Sequence, residues 1–221
     1  MVRGLVFDLD GTLVSLKIEV VRLRSTMIEE LRGQGFDTST LNTSLYSQNI
    51  IDFARSEVDA GRIGKSFDYV QSRLYSALDR LELEWNAESV PIAGATETLG
   101  RLRRSDIGLA VVTNSGRAAA QFLFDKYKLA EYFDVILTRD DVRVMKPHPE
   151  GILKAIELLG VTNSDALFVG DSTIDIKAAR AAGVKIAAVT TGHYSAEKLQ
   201  SEGADYIIGS LSELDALLNL G

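Results

Sequence analysis

Four short polar stretches, each directly behind an apolar run or fixed by prolines, carry the residues that could do chemistry. Asp8 and Asp10 follow Arg3–Phe7 and stand two residues apart. In an extended chain such residues point the same way, so the two carboxylates would share one site. Two anions that close at the end of a buried strand are costly unless a cation or a proton compensates them. Taken singly, they would be a helix-capping acid and a turn acid. Asp171 and Asp175 lie in Gly170-Asp171-Ser172-Thr173-Ile174-Asp175, behind Ala166–Val169. Carboxylates at this spacing suit Mg²⁺, which takes a few of them together with water and substrate phosphate; both acids would equally complement the dipole at a helix start. Thr113-Asn114-Ser115-Gly116 follows Ile107–Val112. Hydroxyls and a glycine turn ahead of a helix make a phosphate cradle, or simply a helix cap. Arg117, next in the chain, reads either as a contact for an anionic substrate or as a surface helix residue. Lys146 sits in Met145-Lys146-Pro147-His148-Pro149, where Pro149 suits the first turn of a helix. Alone, such a lysine is solvated surface. The order of the four is the signal: an acid pair, a hydroxyl, a lysine, a second acid pair.

These stretches need elements to position them. Arg3–Phe7, Ile107–Val112, Val135–Leu137, Ala166–Val169, Ile186–Val189 and Tyr206–Ile208 are short apolar runs of the kind buried on both faces. Between the later ones lie helical patterns at Ala95–Arg104, Ala118–Tyr127, Pro149–Leu159, Ile174–Ala182 and Ala196–Glu202, with a last one at Leu211–Leu218. The alternation predicts an α/β fold, a Rossmann-like three-layer core with a mainly parallel sheet. Ligands of such sheets sit beyond the carboxyl ends of the strands, where the polar stretches fall. From Leu16 onwards the texture differs: Leu16, Val20, Leu23, Met27 and Leu31 recur at helical spacing up to Gly33 and Gly35, and Leu45–Val58 and Phe67–Leu81 continue the pattern. The first strand needs neighbours, so residues 15–88 read as a helical unit inserted after it, and 1–14 with 89–221 as the α/β core.

Composition narrows the function classes. The 221 residues are 46% hydrophobic and 25% charged, as in ordinary globular domains. With no cysteine, a zinc ribbon, an iron–sulfur cluster and a catalytic thiol are all excluded. A net charge of −7 argues against a general nucleic-acid binder, which needs a basic face. No apolar run approaches the roughly 18 residues of a membrane span, and Leu5–Phe7 is too short for a signal-peptide core. The expectation is a cytoplasmic protein acting on a small molecule, with no nucleic-acid or membrane partner; the oligomeric state stays open.

With DLDGT at 8–12, TNS at 113–115, the lysine of MKPHP at 146 and GDSTID at 170–175, the chain resembles the haloacid dehalogenase superfamily, specifically its phosphatases with a small helical, C1-type cap. Pro91-Ile92-Ala93-Gly94 is similar to the re-entry from cap to core in the phosphoglycolate-phosphatase-like branch. The resemblance implies that Asp8 is the nucleophile that forms an aspartyl-phosphate. It implies that Asp10 protonates the leaving alcohol and then activates water, its backbone carbonyl also reaching the metal. Thr113 and Lys146 would hold the phosphoryl group, with Asn114 and Arg117 beside them. Mg²⁺ would be bound by Asp8, Asp10 and Asp171, with Asp175 ligating or supporting. The dehalogenase branch lacks the second acid that is present here as Asp10, so carbon–halogen hydrolysis is not expected. Residues 15–88 would be the cap that closes over small soluble substrates. One departure stands out: Val14-Ser15 occupies the place where many relatives carry an acid.

Weaker patterns resolve otherwise. Gly61-Arg62-Ile63-Gly64-Lys65-Ser66 imitates the end of a P-loop, but Asp59 stands where the first glycine belongs and no apolar strand precedes it. Arg62 and Lys65 read as a solvated turn or as residues that sense substrate charge. His148 and His193 lack a second histidine at ligand spacing, and Trp85 reads as packing between the two parts. Against the phosphatase stand a sugar phosphomutase, a receiver-like phospho-acceptor and a phosphate-binding pseudoenzyme. The mutase needs a second phosphate site, which the inserted segment does not reveal. In a receiver the lysine ends the order, whereas Asp171 and Asp175 follow Lys146 here. A pseudoenzyme would not fill every catalytic position.

Overall fold

Six apolar runs become the strands of one sheet: β1 (Gly4–Phe7), β2 (Gly108–Val112), β3 (Val135–Leu137), β4 (Ala166–Gly170), β5 (Lys185–Val189) and β6 (Tyr206–Ile208). The computed structural model describes residues 2–15 and 19–218. The strand order is β3-β2-β1-β4-β5-β6, and every pairing is parallel. Strand β1 is therefore central, with Phe7 in register with Val111 on one side and Val169 on the other. The chain runs outward from β1 through β2 to β3, then returns to β4 and runs outward the other way. This reversal between β1 and β4 is the switch point at which open α/β sheets bind ligands.

Alternation along each strand divides the apolar side chains between two cores. Leu5, Phe7, Leu109, Val111, Leu167 and Val169 face one side, and Val6, Ala110, Val112 and Phe168 the other. Nine helices are described. In the inserted segment they are α1 (Val20–Gly33), α2 (Ser47–Asp59) and α3 (Phe67–Asn86). The others are α4 (Ala95–Leu102), α5 (Arg117–Tyr127), α6 (Glu150–Leu159), α7 (Thr173–Ala182), α8 (Ala196–Ser201) and α9 (Leu214–Leu217). Helices α4 and α5 pack on the first core, with Leu99, Leu102, Leu123 and Phe124 buried. Helices α6 and α7 pack on the second through Ile152, Ile156, Ile176 and Ala179. This is the expected three-layer arrangement. The last helical pattern, expected as one helix over 211–218, is instead a 3₁₀ turn at Leu211–Glu213 followed by the single turn of α9.

The chain divides into two compact units: Met1–Leu16 with Ser89–Gly221, and Lys17–Glu88. Within the second, α1 buries Leu23, Met27, Ile28 and Leu31, and α3 buries Val70, Leu74, Ala77 and Leu78. Helix α3 continues to Asn86, five residues beyond the expected end at Leu81, because no glycine or proline interrupts it there. Leu16, read as the first apolar position of α1, lies outside the described residues. Trp85 is buried, with the Arg22 guanidinium 5.7 Å above its ring, both residues belonging to the helical unit.

Candidate active site

The carboxyl ends of β1, β2 and β4 converge. Asp8 leaves β1 with its N–H donating to the Val169 carbonyl at 2.8 Å, so the first acid starts level with the end of β4. The chain then turns sharply: Gly11 takes a φ of +82°, a region that favours glycine, and its N–H donates to the Val14 carbonyl at 2.8 Å. Thr113, Asn114 and Ser115 follow β2 directly, and Asp171 follows β4. Asp175 occupies the first turn of α7, where Ser172 is the N-cap: its Oδ2 accepts from the Ser172 N–H at 3.1 Å and from the Ser172 hydroxyl at 2.6 Å. The capping reading of Asp175 and the site reading hold together, because its other oxygen is free to point elsewhere.

That other oxygen meets Lys146. Nζ of Lys146 lies 2.7 Å from Asp175 Oδ1 and 2.7 Å from Asp8 Oδ1, with the lysine only 5% exposed. The Lys146 loop is held by Asn114, whose Nδ2 donates to the Lys146 carbonyl at 2.9 Å while its Oδ1 accepts from the Lys146 N–H at 3.0 Å. Asp8, Asp171 and Asp175 each offer a carboxylate oxygen, all within 4.8 Å of one another, and all three residues are buried. One lysine thus faces three buried acids. Burial, and then the charge of Asp175, push Asp8 up to about 7 despite Lys146. Burial, then Asp175 and Asp8, push Asp171 up to about 9. For Lys146 burial pulls downward, but Asp175 and Asp8 together outweigh it and hold the ammonium form above its ordinary range. An excess of close, hard oxygen donors over cations fits a divalent metal ion.

Asp10 is outside that group of three side chains. Its Oδ2 accepts from the Ser115 hydroxyl at 2.6 Å and, more distantly, from the Thr113 hydroxyl at 3.4 Å. Burial raises its pKa, against these hydrogen bonds and the charge of Lys146. The structure therefore brings Asp8, Asp10, Thr113, Asn114, Lys146, Asp171 and Asp175 together. It does not bring Arg117: that guanidinium is exposed and lies 2.6 Å from Asp141 Oδ1, while its backbone N–H donates to Asp140. Of the two readings of Arg117, a contact for an anionic substrate or a surface helix residue, its position in this structure is that of an exposed residue paired with Asp141. Arg62 pairs with Glu57, and Lys65 donates to the Gln34 carbonyl, both inside the helical unit. Ser66, the last residue of the P-loop-like stretch, is the N-cap of α3.

Some contributors carry no clear signal in the sequence. Ser115 lies within the TNS stretch, but nothing in its spacing points to its bond to Asp10. Thr12, fully buried, directs its hydroxyl toward Asp171 at 3.5 Å. Thr191 and Gly192, just beyond β5, also reach this region, and the rule that ligands sit at strand ends would have marked them.

A family model described as haloacid dehalogenase-like hydrolase matches residues 5–189. The chain belongs to this family. A phosphoglycolate phosphatase of Cupriavidus necator is 30% identical over 215 residues, covering 97% of this chain and 92% of that protein. Among solved structures, a haloacid dehalogenase-like hydrolase from Bacteroides fragilis superposes with a TM-score of 0.69 at 24% identity, over 97% of this chain and 100% of that one. A structure from Thermotoga maritima described as a beta-phosphoglucomutase gives 0.64 at 22%, over 99% of both chains. At these identities the two structures bear on the fold alone. As a haloacid dehalogenase-like hydrolase, the chain is an enzyme. No described helix is long and apolar enough to cross a membrane.

Proposed function

We propose that the chain is a Mg²⁺-dependent phosphatase that hydrolyses a small soluble phosphomonoester, phosphoglycolate or a close analogue, through an aspartyl-phosphate on Asp8. That it is a phosphoric monoester hydrolase follows from the family and the phosphoglycolate phosphatase relatives together. The observation that carries the finer reading is a buried lysine between Asp8 and Asp175, beside a third acid, Asp171. Such a site disfavours its own anions until further cations arrive. Asp8, Asp171 and Asp175 would hold the ion, which when bound neutralises charge on the carboxylates and the phosphate.

Asp8 supplies the oxygen that attacks phosphorus, and the phosphorus–oxygen bond to the alcohol breaks. Asp10, with its pKa raised by burial, delivers the proton to the departing oxygen. It then accepts a proton from the water that attacks the aspartyl-phosphate, releasing inorganic phosphate and regenerating Asp8. The Thr113 hydroxyl and Lys146 hold the phosphoryl oxygens, Lys146 as a point charge. We read residues 17–88 as the cap that selects the substrate, and place the enzyme in the cytoplasm, where small charged phosphates are retained.

The test is release of inorganic phosphate from p-nitrophenyl phosphate and a panel of small phosphomonoesters that includes phosphoglycolate, with and without Mg²⁺. Metal-dependent turnover that Asp8→Asn reduces by at least about a thousandfold is expected, since the nucleophile is removed. A folded, Mg²⁺-binding protein that releases phosphate from none of the esters overturns the reading. Phosphoryl movement between positions of a sugar phosphate without net release would identify a mutase instead.

A further inference from the structure

Two stretches of backbone from opposite ends of the sequence press on one oxygen of Asp171. A Cβ built on Gly11 would lie 2.4 Å from Asp171 Oδ2, and one built on Gly192 only 1.7 Å from the same atom. No side chain fits at either place while Asp171 stays where it is. The two stretches are also joined. The Thr191 hydroxyl donates to the Gly11 carbonyl at 2.6 Å, across 180 positions of sequence. The base of the Thr191 loop is in turn tied to the sheet, the Thr190 N–H donating to the Ile208 carbonyl at 3.0 Å. The carboxylate of Asp171 thus stands in a slot whose one wall is the turn behind Asp8 and Asp10 and whose other wall is the loop behind β5.

We propose that Thr191 and Gly192 are positioning residues for the metal-binding acids: Gly192 leaves the room that Asp171 Oδ2 occupies, and Thr191 holds the Gly11 turn against it. The proposal rests on the reading of Asp8, Asp171 and Asp175 as the metal-binding set. Neither residue offers an atom to the ion. They act by holding the Asp171 oxygen and the Asp8–Asp10 turn at a set separation, which a hard divalent ion with strict geometry demands. Partners of this outer kind are worth about ten- to a hundredfold in metal affinity.

The experiment is calorimetric titration of the metal-free full chain with Mg²⁺, for wild type, Thr191→Val, Thr191→Ser and Gly192→Ala, together with the melting midpoint of each in EDTA. Thr191→Val is expected to weaken Mg²⁺ binding about tenfold, and Thr191→Ser, which keeps the hydroxyl, to restore it. Gly192→Ala is expected to weaken binding by about a hundredfold or more, with the metal-free midpoint close to that of wild type. Variants that melt lower but bind Mg²⁺ as wild type does would show a merely structural role and overturn the proposal. Unchanged affinity and unchanged midpoints overturn it equally. If Gly192→Ala does not fold, the Thr191 pair decides alone. Wild-type protein that binds no Mg²⁺ fails differently, removing the metal reading itself and the proposal with it.

Discussion

Lys146 and Asp10 show how much depends on which partners hold a charged side chain. Lys146 is shared between Asp8 and Asp175 at 2.7 Å each, and its aliphatic stem places Nζ 5.4 Å over the Phe168 ring. Being buried, it cannot exchange these partners for water, so it holds the nucleophile and the second acid pair at one spacing. Asp10 is held by a different group, the Ser115 hydroxyl at 2.6 Å. A hydrogen bond to a charged acceptor is worth about 1.5–3 kcal/mol. Ser115→Ala should therefore lower kcat by about ten- to a hundredfold, with KM for p-nitrophenyl phosphate within about twofold. Steady-state kinetics at saturating Mg²⁺ measure this, and an unchanged kcat would mean that Ser115 does not orient the acid.

Helix α7 is the element on which structure and chemistry coincide. Its N-cap Ser172 both donates to Asp175 Oδ2 and accepts from the Asp175 N–H at 3.3 Å, a reciprocal cap that fixes the rotamer of Asp175. The same carboxylate uses Oδ1 to reach Lys146. Loss of an N-cap hydroxyl costs about 1 kcal/mol. Ser172→Ala should lower the urea midpoint correspondingly, and it should lower kcat as well, whereas Ser172→Thr should keep both near wild type. Gly170 belongs to the same design: a Cβ there would lie 2.7 Å from the Asp175 carboxylate, so β4 ends in a residue with no side chain. Helix α5 starts without a side-chain cap; the Arg117 N–H is met instead by Asp140, from the 3₁₀ turn at Arg139–Asp141.

For the whole molecule, the acids in the site set how stability depends on pH. Asp8, at about 7, and Asp171, at about 9, both lie above their ordinary value of 3.8. Between the unfolded and folded values the folded chain retains protons that the unfolded chain has released. Its stability from these groups therefore falls as pH rises from about 4 through about 9. Mg²⁺ displaces the same protons, so its stabilising effect should grow over that range. Melting midpoints of wild type in EDTA should decline with pH more steeply than those of Asp171→Asn, and the gap between EDTA and Mg²⁺ should be wider at pH 8 than at pH 6. Parallel curves for wild type and Asp171→Asn would mean that Asp171 is ionised in the metal-free fold.

Much of this was readable without coordinates. Strand ends are local events, since an apolar run stopped by acids, hydroxyls or glycine places the next residues at the sheet's carboxyl edge whatever the rest of the chain does. Asp8, Asp10, Thr113, Asp171 and Asp175 are marked for that reason, and the parallel sheet with them, whereas Lys146 enters only through its place in the order of the four stretches. What the sequence could not determine is which polar atom each residue chooses. Arg117 follows the right turn yet is taken by Asp141, Ser115 rather than solvent holds Asp10, and Thr191 reaches Gly11 across 180 positions. Those pairings depend on strand register and on how tightly two glycine backbones approach one carboxylate. Both are set when distant segments pack, so only the tertiary structure decides them.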